Sequence, residues 1–329
     1  MFEDQTILIT GGTGSWGTEL TAQLLQLRPK HIRIFSRNEF NQVNMQRRFH
    51  GRPELQYRIG DIRDYQAVEE ACRGVDYVFH LAALKHVPIC ESQPDEAMKT
   101  NVIGTENIIR AAIAAKVKKV IDVSTDKAAE PINFYGISKL VGERLIIHAN
   151  GLGTDTRFVC IRGGNVLGTN GSVVPFFMKQ IAEGRNVTLT SREMTRFFST
   201  VTDTVGLLVK ASQLAAGGEI FVLKMPACRI EDLAQVLIDK LADAPVGIEE
   251  IGIRPGEKLH EVLVTRYESP TTYDFSDEYY VVLPSVPSTA LIRRYEDYPR
   301  AAFEKYESND RLLTPAGIES LLVRGGFLP

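Results

Sequence analysis

The stretch "TILITGGTGSWGTELTAQLL", Thr6 to Leu25, reads as an apolar strand, a glycine turn and an amphipathic helix. Gly11, Gly14 and Gly17 give the spacing G-x-x-G-x-x-G. Glycines so placed permit a tight turn, let the backbone approach a pyrophosphate and let the helix sit close to the sheet. The N-terminus of that helix supplies amide donors and a positive dipole for phosphates. Thr13, Ser15 and Trp16 fill the rest of the turn and are expected to contact the same ligand. A glycine pattern alone is also an ordinary turn, but its place on the first strand–helix junction points to a dinucleotide site.

Working outward, short apolar runs alternate with helix-like segments. "TILIT" (6–10), "IRIF" (32–35), "LQYRI" (55–59), "DYVFHLA" (76–82), "KVIDVS" (119–124) and "RFVCIR" (157–162) read as buried strands. Strands alternating with helices imply right-handed crossovers and a parallel sheet covered on both faces. The expected fold class is α/β, a doubly wound parallel sheet with a smaller C-terminal α/β lid over the substrate. We expect residues 1–168 to form the dinucleotide-binding domain. Residues 169–329 mainly bind substrate, with a soft boundary and a chain that returns to the large domain. "GSVVPFFMKQIAEG" predicts a helix starting near Pro175, and "IEDLAQVLIDKLAD" another. The turn-rich "SPTTYDFSDEYYVVLPSVP" predicts one exposed strand.

The chain has 329 residues, a formal charge of −3 and no long basic run, which argues against nucleic acid as a partner. No apolar stretch approaches the roughly 20 residues of a membrane helix. The start "MFEDQTILIT" has no basic leader, so a cytoplasmic protein is expected. Cys72, Cys90, Cys160 and Cys228 are scattered, with no metal-ligand spacing; they read as reduced, packed thiols, and no metal is expected.

At the end of the second strand an NAD site commonly places an acid for the ribose hydroxyls. Here "IFSRNEF" has Ser36 and Arg37 first and Glu39 two residues on. Arg37 suits a 2′-phosphate through its planar fork, which favours NADP over NAD. "GDIRD" puts Asp61 and Ile62 at the third strand's end, where they would edge the adenine; Asp61 also reads as a helix cap. Tyr135 and Lys139 in "YGISK" lie one helical turn apart. An ammonium beside a phenol favours the phenolate, so the tyrosine would take a proton from an alcohol near neutral pH. Ser124, at a strand end upstream, joins the same pattern.

Together "LITGGTGSWG", "GDIRD", "HLAALKHVP", "TNVIGTENII", "STDKAAEPINFYGISK", "MTRFF" and "RPGEKLHE" resemble the UDP-N-acetylglucosamine 4,6-dehydratases. These are a branch of the extended short-chain dehydrogenase/reductase superfamily. The resemblance runs from about residue 3 to 265. It implies oxidation at sugar carbon 4, loss of water across carbons 5 and 6, and return of the hydride to carbon 6. Such chemistry needs a second acid/base set beyond Tyr135 and Lys139. Asp126 and Lys127, at the carboxyl end of the fifth strand, stand where open α/β sheets bind ligands. The resemblance assigns Lys127 as carbon-5 base and Asp126 as acid for the leaving hydroxyl. A solvated ion pair or helix cap is the ordinary alternative.

It further implies that Ala82, Ala83 and Lys85 border the nicotinamide, with Lys85 and Thr125 also near the sugar. His86 reads as a packed or capping histidine. Asn101 would position a water or the tyrosine region, or simply pack its helix. Asn165 corresponds to a sugar-phosphate contact, although Gly163 stands where the family often has an aromatic; Trp16 is a second departure. Arg196 and Arg254 would clamp a pyrophosphate, and Glu257 suits a uridine ribose. Inversion at carbon 5 is favoured over retention, and a homo-oligomer is expected. A 4-epimerase, needing only the tyrosine–lysine pair, is the rival activity, and a net reductase a second. A non-catalytic binding protein fits poorly with an intact Tyr135 and Lys139.

Overall fold

The computed structural model describes residues 1–168 and 172–329; the expected boundary at 168/169 therefore adjoins residues 169–171, which lie outside the described residues. Six parallel strands are β1 (Thr6–Thr10), β2 (His31–Ser36), β3 (Leu55–Ile59), β4 (Tyr77–His80), β5 (Lys119–Thr125) and β6 (Arg157–Gly163). They lie in the order β3-β2-β1-β4-β5-β6. The order reverses between β1 and β4, the switch point at which doubly wound sheets bind ligands. The central strands carry Ile7, Leu8, Ile9, Val78, Phe79, Val120 and Ile121, all fully buried. That is why they read as continuous apolar runs without alternation.

Three later strands extend the sheet beyond β6. Ile220–Leu223 pairs with β6 in parallel, and Tyr279–Val282 and Thr272–Ser276 follow antiparallel. The stretch expected to hold one exposed strand is thus a hairpin of the main sheet. Two of its tyrosines are core residues: Tyr279 and Phe221 meet edge to face at 5.6 Å, and Tyr273 is buried. The aspartates and serines around them occupy the turn and the outer face, and they mask the apolar alternation. A buried ion pair fastens this region inward, with Arg162 of β6 bonded to Glu143 at 2.7 Å and to Glu268 at 3.0 Å.

The two expected helices form as Val173–Ala182 and Ile230–Leu241. With Pro315–Arg324 they enclose a second core around Phe177, Leu233, Leu237 and Leu321. This smaller layer faces the carboxyl ends of β1, β4 and β5. No helix among the described residues is long and apolar enough to cross a membrane.

Candidate active site

A cleft of about 1150 Å³ runs between the sheet's carboxyl edge and the smaller layer. At one end lies the turn between β1 and the helix α1 (Ser15–Leu25). Gly11 has φ +65°, and a Cβ there would sit 2.9 Å from the Ala82 backbone. At Gly17 a Cβ would overlap the Gly12 carbonyl. Gly14 is the N-cap of α1 and no side chain caps it, so the first amides of α1 are free of side-chain acceptors. Gly11, Gly14, Ser15, Trp16 and Gly17 line the cleft, as do Ala82, Ala83 and Lys85 opposite them. A backbone cradle with uncapped helix amides fits a pyrophosphate.

Four expected cofactor residues lie beside this turn but outside the cleft lining, as does Thr13. The Gly11 amide donates to Phe35 O at 2.8 Å and that of Gly60 to Ser36 O at 3.1 Å, so the ends of β2 and β3 abut the turn. Ser36 is buried, with Gln42 donating to its hydroxyl. Arg37 is 54 % exposed and stands 3.7 Å from Asp61, which Arg63 also holds at 2.7 Å. Burial alone would raise the Asp61 carboxyl, but Arg63 and Arg37 hold it below its ordinary range. Ile62 is core, packed where a Cβ on Gly104 would collide with it.

The helix Phe134–Ala149 carries Tyr135 and Lys139 on the cleft side; Asn133 caps it, accepting from the Gly136 amide at 2.8 Å. A Cβ on Gly136 would overlap Lys127 O, so the helix and the turn after β5 are pressed together. Lys139 Nζ donates to Val123 O at 2.9 Å and stands 3.7 Å from the buried Asp122. Burial works against that ammonium, but Asp122 and Tyr135 keep its pKa above the ordinary value. For Tyr135 burial wins: the phenol is raised despite the pull of Lys139 and Lys127. The phenolate expected near neutral pH is therefore disfavoured in this state, because desolvation outweighs two nearby cations.

Asn101 does not reach the cleft. Its amide accepts from Leu84 N at 2.8 Å and donates to Leu84 O and Ser138 Oγ, each at 2.9 Å, tying the loop after β4 to the tyrosine helix. His86 occupies the backbone N-cap of Val87–Ser92, but its side chain makes no cap bond, and the residue lines the cleft. Ser124 and Thr125 both line the wall.

Beyond β5 the chain makes a 3₁₀ turn, Asp126–Ala128. Asp126 is fully buried, and Thr125 Oγ1 and Lys127 Nζ donate to its Oδ1 at 2.8 and 2.9 Å. It borders the cleft only through those two residues, both of which line it. Lys127 Nζ also donates to Asn165 Oδ1 at 3.2 Å and lies 3.4 Å from Glu261. Burial, with Glu261 adding to it, raises the Asp126 carboxyl against the pull of Lys127. Burial opposes the Lys127 ammonium too, but Asp126 and Glu261 overrule it and hold its pKa above the ordinary lysine range.

Arg196 is buried, and both terminal nitrogens already donate to backbone carbonyls, Nη1 to Thr195 O at 2.7 Å and Nη2 to Lys258 O at 2.9 Å. Its Nε lies 3.5 Å from Glu261. The open fork is Arg254, 60 % exposed, with Glu257 4.0 Å away. The "RPGEK" loop docks on the tyrosine helix through Asn133, which donates to Gly256 O at 2.8 Å. Gly163 ends β6 and Asn165 follows it; Leu223 and Met225 fill the space an aromatic at 163 would need. Glu261 and Asp122 were not anticipated from sequence. The one available signal was an acid set into an apolar run, "HEVLV" and "KVIDVS".

Parallel order, switch-point cleft, glycine turn and tyrosine–lysine helix define an extended short-chain dehydrogenase/reductase. The chain belongs, over residues 7–283, to the family described as "Polysaccharide biosynthesis protein". It is 44 % identical over 290 residues to a UDP-N-acetylglucosamine 4,6-dehydratase (inverting) of Campylobacter jejuni, covering 87 % of this chain and 85 % of the relative. It is 46 % identical over 285 residues to a protein of Rickettsia massiliae named UDP-glucose 4-epimerase, covering 85 % and 83 %. The X-ray structure of Pen from Bacillus thuringiensis matches with a TM-score of 0.90 and 40 % identity, covering 98 % and 99 %. The resemblance drawn from the motifs therefore holds at the level of the family.

Proposed function

We propose that the protein is a UDP-N-acetylglucosamine 4,6-dehydratase, releasing a UDP-4-keto-6-deoxy-N-acetylhexosamine with inversion at carbon 5. One observation carries the reading. One cleft is lined by Tyr135, Lys139 and a further amine, Lys127, which is paired with Asp126 just behind the wall, whereas an alcohol oxidation alone needs only the tyrosine–lysine pair. The Campylobacter relative, named a dehydratase, supports the same choice.

The cofactor is a nicotinamide dinucleotide, with NADP favoured because Arg37 is half exposed beside the turn. Gly11, Gly14, Ser15, Trp16 and Gly17 would hold its pyrophosphate, with Thr13, Ser36, Arg37, Asp61 and Ile62 around the adenosine end. Ala82, Ala83, Lys85, Ser124 and Lys139 would border the other end, with Asn101 fixing that wall from behind. Bound there, it would supply the acceptor for the carbon-4 hydride and the donor for carbon 6. Residues 1–168 serve this part of the site, and residues 169–329 mainly the nucleotide sugar. Arg254 would take the pyrophosphate of UDP, with Arg196 as charge behind it, Glu257 on the ribose, and Asn165, Thr125 and Lys85 near the sugar.

Tyr135 acts as its phenolate, the form Lys139 stabilises: it takes the proton of the carbon-4 hydroxyl and becomes the neutral phenol. The resulting ketone acidifies the carbon-5 hydrogen. Lys127, the amine at the wall, must be neutral to remove it. Passing its proton across 2.9 Å to Asp126 yields a neutral amine and a neutral carboxylic acid together; burial lowers the cost of that step, against the carboxylates that keep the resting ammonium charged. Asp126, linked to the cleft through Thr125 Oγ1, then feeds a proton to the departing carbon-6 hydroxyl. Turnover of UDP-N-acetylglucosamine in D₂O, followed by NMR, tests this: a 4-keto-6-deoxy product bearing deuterium at carbon 5 is expected. The Rickettsia relative favours a 4-epimerase as the second reading. A 4-epimer that keeps its carbon-6 hydroxyl and carbon-5 proton would establish that instead, and a retained carbon-5 configuration would mark a retaining dehydratase.

A further inference from the structure

Glu261 belongs to no part of the scheme above, yet it is a carboxylate that lines the cleft, whereas Asp126 does not. It is 3 % exposed, and its backbone is fixed at both ends. Its amide donates to Ser308 Oγ at 2.9 Å, and Ser308 N donates to its carbonyl at 2.9 Å. Its Oε1 lies between two cations, 3.4 Å from Lys127 Nζ and 3.5 Å from Arg196 Nε. Its Oε2 accepts no hydrogen bond among the described residues. We infer that Glu261 is a positioning residue for Lys127: its carboxylate fixes the place and the charge of that ammonium at the cleft wall, and so sets the pH at which carbon-5 proton transfer begins. The inference rests on the reading of Lys127 as the carbon-5 base.

The groups that face Lys127 come from four elements. Asp126 shares its turn and Tyr135 faces it from the helix Phe134–Ala149. Arg196 comes from the strand Thr195–Ser199, and Lys258 and Glu261 from the segment before Val262–Val264. Asn165 adds a neutral acceptor. His260 is turned to Thr195, 2.8 Å from its hydroxyl. Three cations thus share two carboxylates. Burial pushes the Glu261 carboxyl up, but Lys127, Arg196 and Lys258 hold it below its ordinary value, so it is ionised and acts as a fixed negative charge. Without that charge, Lys127 would keep only Asp126 against two neighbouring cations.

The test is Glu261→Gln, which keeps the shape and removes the charge. Carbon-5 hydrogen exchange of UDP-N-acetylglucosamine in D₂O is followed by NMR from neutral to alkaline pH. Removing an opposite charge at this range should move the midpoint of the rising limb about 1–3 units toward acid. Glu261→Asp, with its carboxylate drawn back by one carbon, should move it the same way by a smaller step. That variant carries the test should Glu261→Gln fail to fold. The pH at which Lys127 becomes open to acylation, read by mass spectrometry without turnover, should shift in parallel. A rate lowered equally at every pH, with the midpoint in place, would mean that Glu261 only packs the wall, and it would overturn the inference. Lys127→Ala separates this from the reading beneath it. Exchange at the parent rate there removes Lys127 as base and both proposals with it. Exchange lost there, with an unmoved midpoint in Glu261→Gln, removes only the role of Glu261.

Discussion

Lys127→Ala should separate the two halves of the reaction. In the parent, Lys127 Nζ holds Asp126, Asn165 and Glu261 at 2.9, 3.2 and 3.4 Å. Its loss deletes the carbon-5 base, and general-base deletions lower rates by about 100- to 10,000-fold. At 1.36 kcal/mol per tenfold that is about 3–5 kcal/mol of barrier. The change also removes a cation from two buried carboxylates, and breaking a buried pair costs about 3–5 kcal/mol. Glu261 keeps Arg196, so the lower end is expected. Asp126 already has a raised pKa in the folded state. Without Lys127 it rises further, so the folded variant binds more protons than the unfolded chain. Stability must then fall as pH rises from the unfolded value through the folded one, and recover on acidification. Thermal melts from the ordinary carboxylate range up through neutrality should show this tilt relative to the parent. Tyr135 and Lys139 are untouched, so with UDP-N-acetylglucosamine the variant should accumulate absorbance in the reduced-nicotinamide band while releasing almost no 4-keto-6-deoxy product. Product at the parent rate would refute the role of Lys127, and a melt indifferent to pH would refute the electrostatic argument.

Tyr135→Phe should behave in the opposite way, because it blocks the first proton transfer: UDP-N-acetylglucosamine should bind, but the reduced band should not appear on mixing. Arg37→Ala should weaken NADP by about 10- to 150-fold and NAD little, since only a 2′-phosphate engages the guanidinium fork; equal losses in a titration would dismiss the NADP preference. Burial pushes the Glu268 carboxyl up, but Arg162 holds it down at about 2, so its contribution is fully present above its unfolded value and is lost as pH falls toward about 2. Glu268→Gln should therefore remove up to about 3 kcal/mol at neutral pH and flatten the acid limb of a stability profile, an outcome checked by denaturant titration at several pH values.

What was legible in the sequence was what is local. β1 to β6 follow from apolar runs of strand length, the glycine turn from the spacing of Gly11, Gly14 and Gly17, and the tyrosine–lysine helix from one i, i+4 spacing. The Asp126–Lys127 pair was legible because the residues are adjacent. Their third partner was not, because Glu261 reaches Lys127 across 134 positions of chain, with nothing in between to announce the contact. Arg196 failed differently. A guanidinium could be read from "MTRFF", but not that the carbonyls of Thr195 and Lys258 would claim its terminal nitrogens. The hairpin at 272–282 was hidden by composition, since its buried tyrosines alternate with polar residues that look like loop.

One signal remained in view throughout. A charge placed inside an apolar strand must find a partner, because an unpaired buried ion is too costly to keep. Asp122 in "KVIDVS", Arg162 in "RFVCIR" and Glu261 ahead of "VLV" each break an apolar run in this way, and each meets an opposite charge. Two of those partners, Lys139 and Lys127, are the lysines on which the proposed chemistry depends. The acids set into or beside apolar runs therefore do more than interrupt them. Asp122 within β5 does this for Lys139, and Asp126 in the turn after β5, with Glu261 ahead of Val262–Val264, does it for Lys127, so both ammonium groups stay charged where burial alone would neutralise them. The Tyr135 phenol, which has no fixed cation bonded to it and two lysines only nearby, is the group for which desolvation wins.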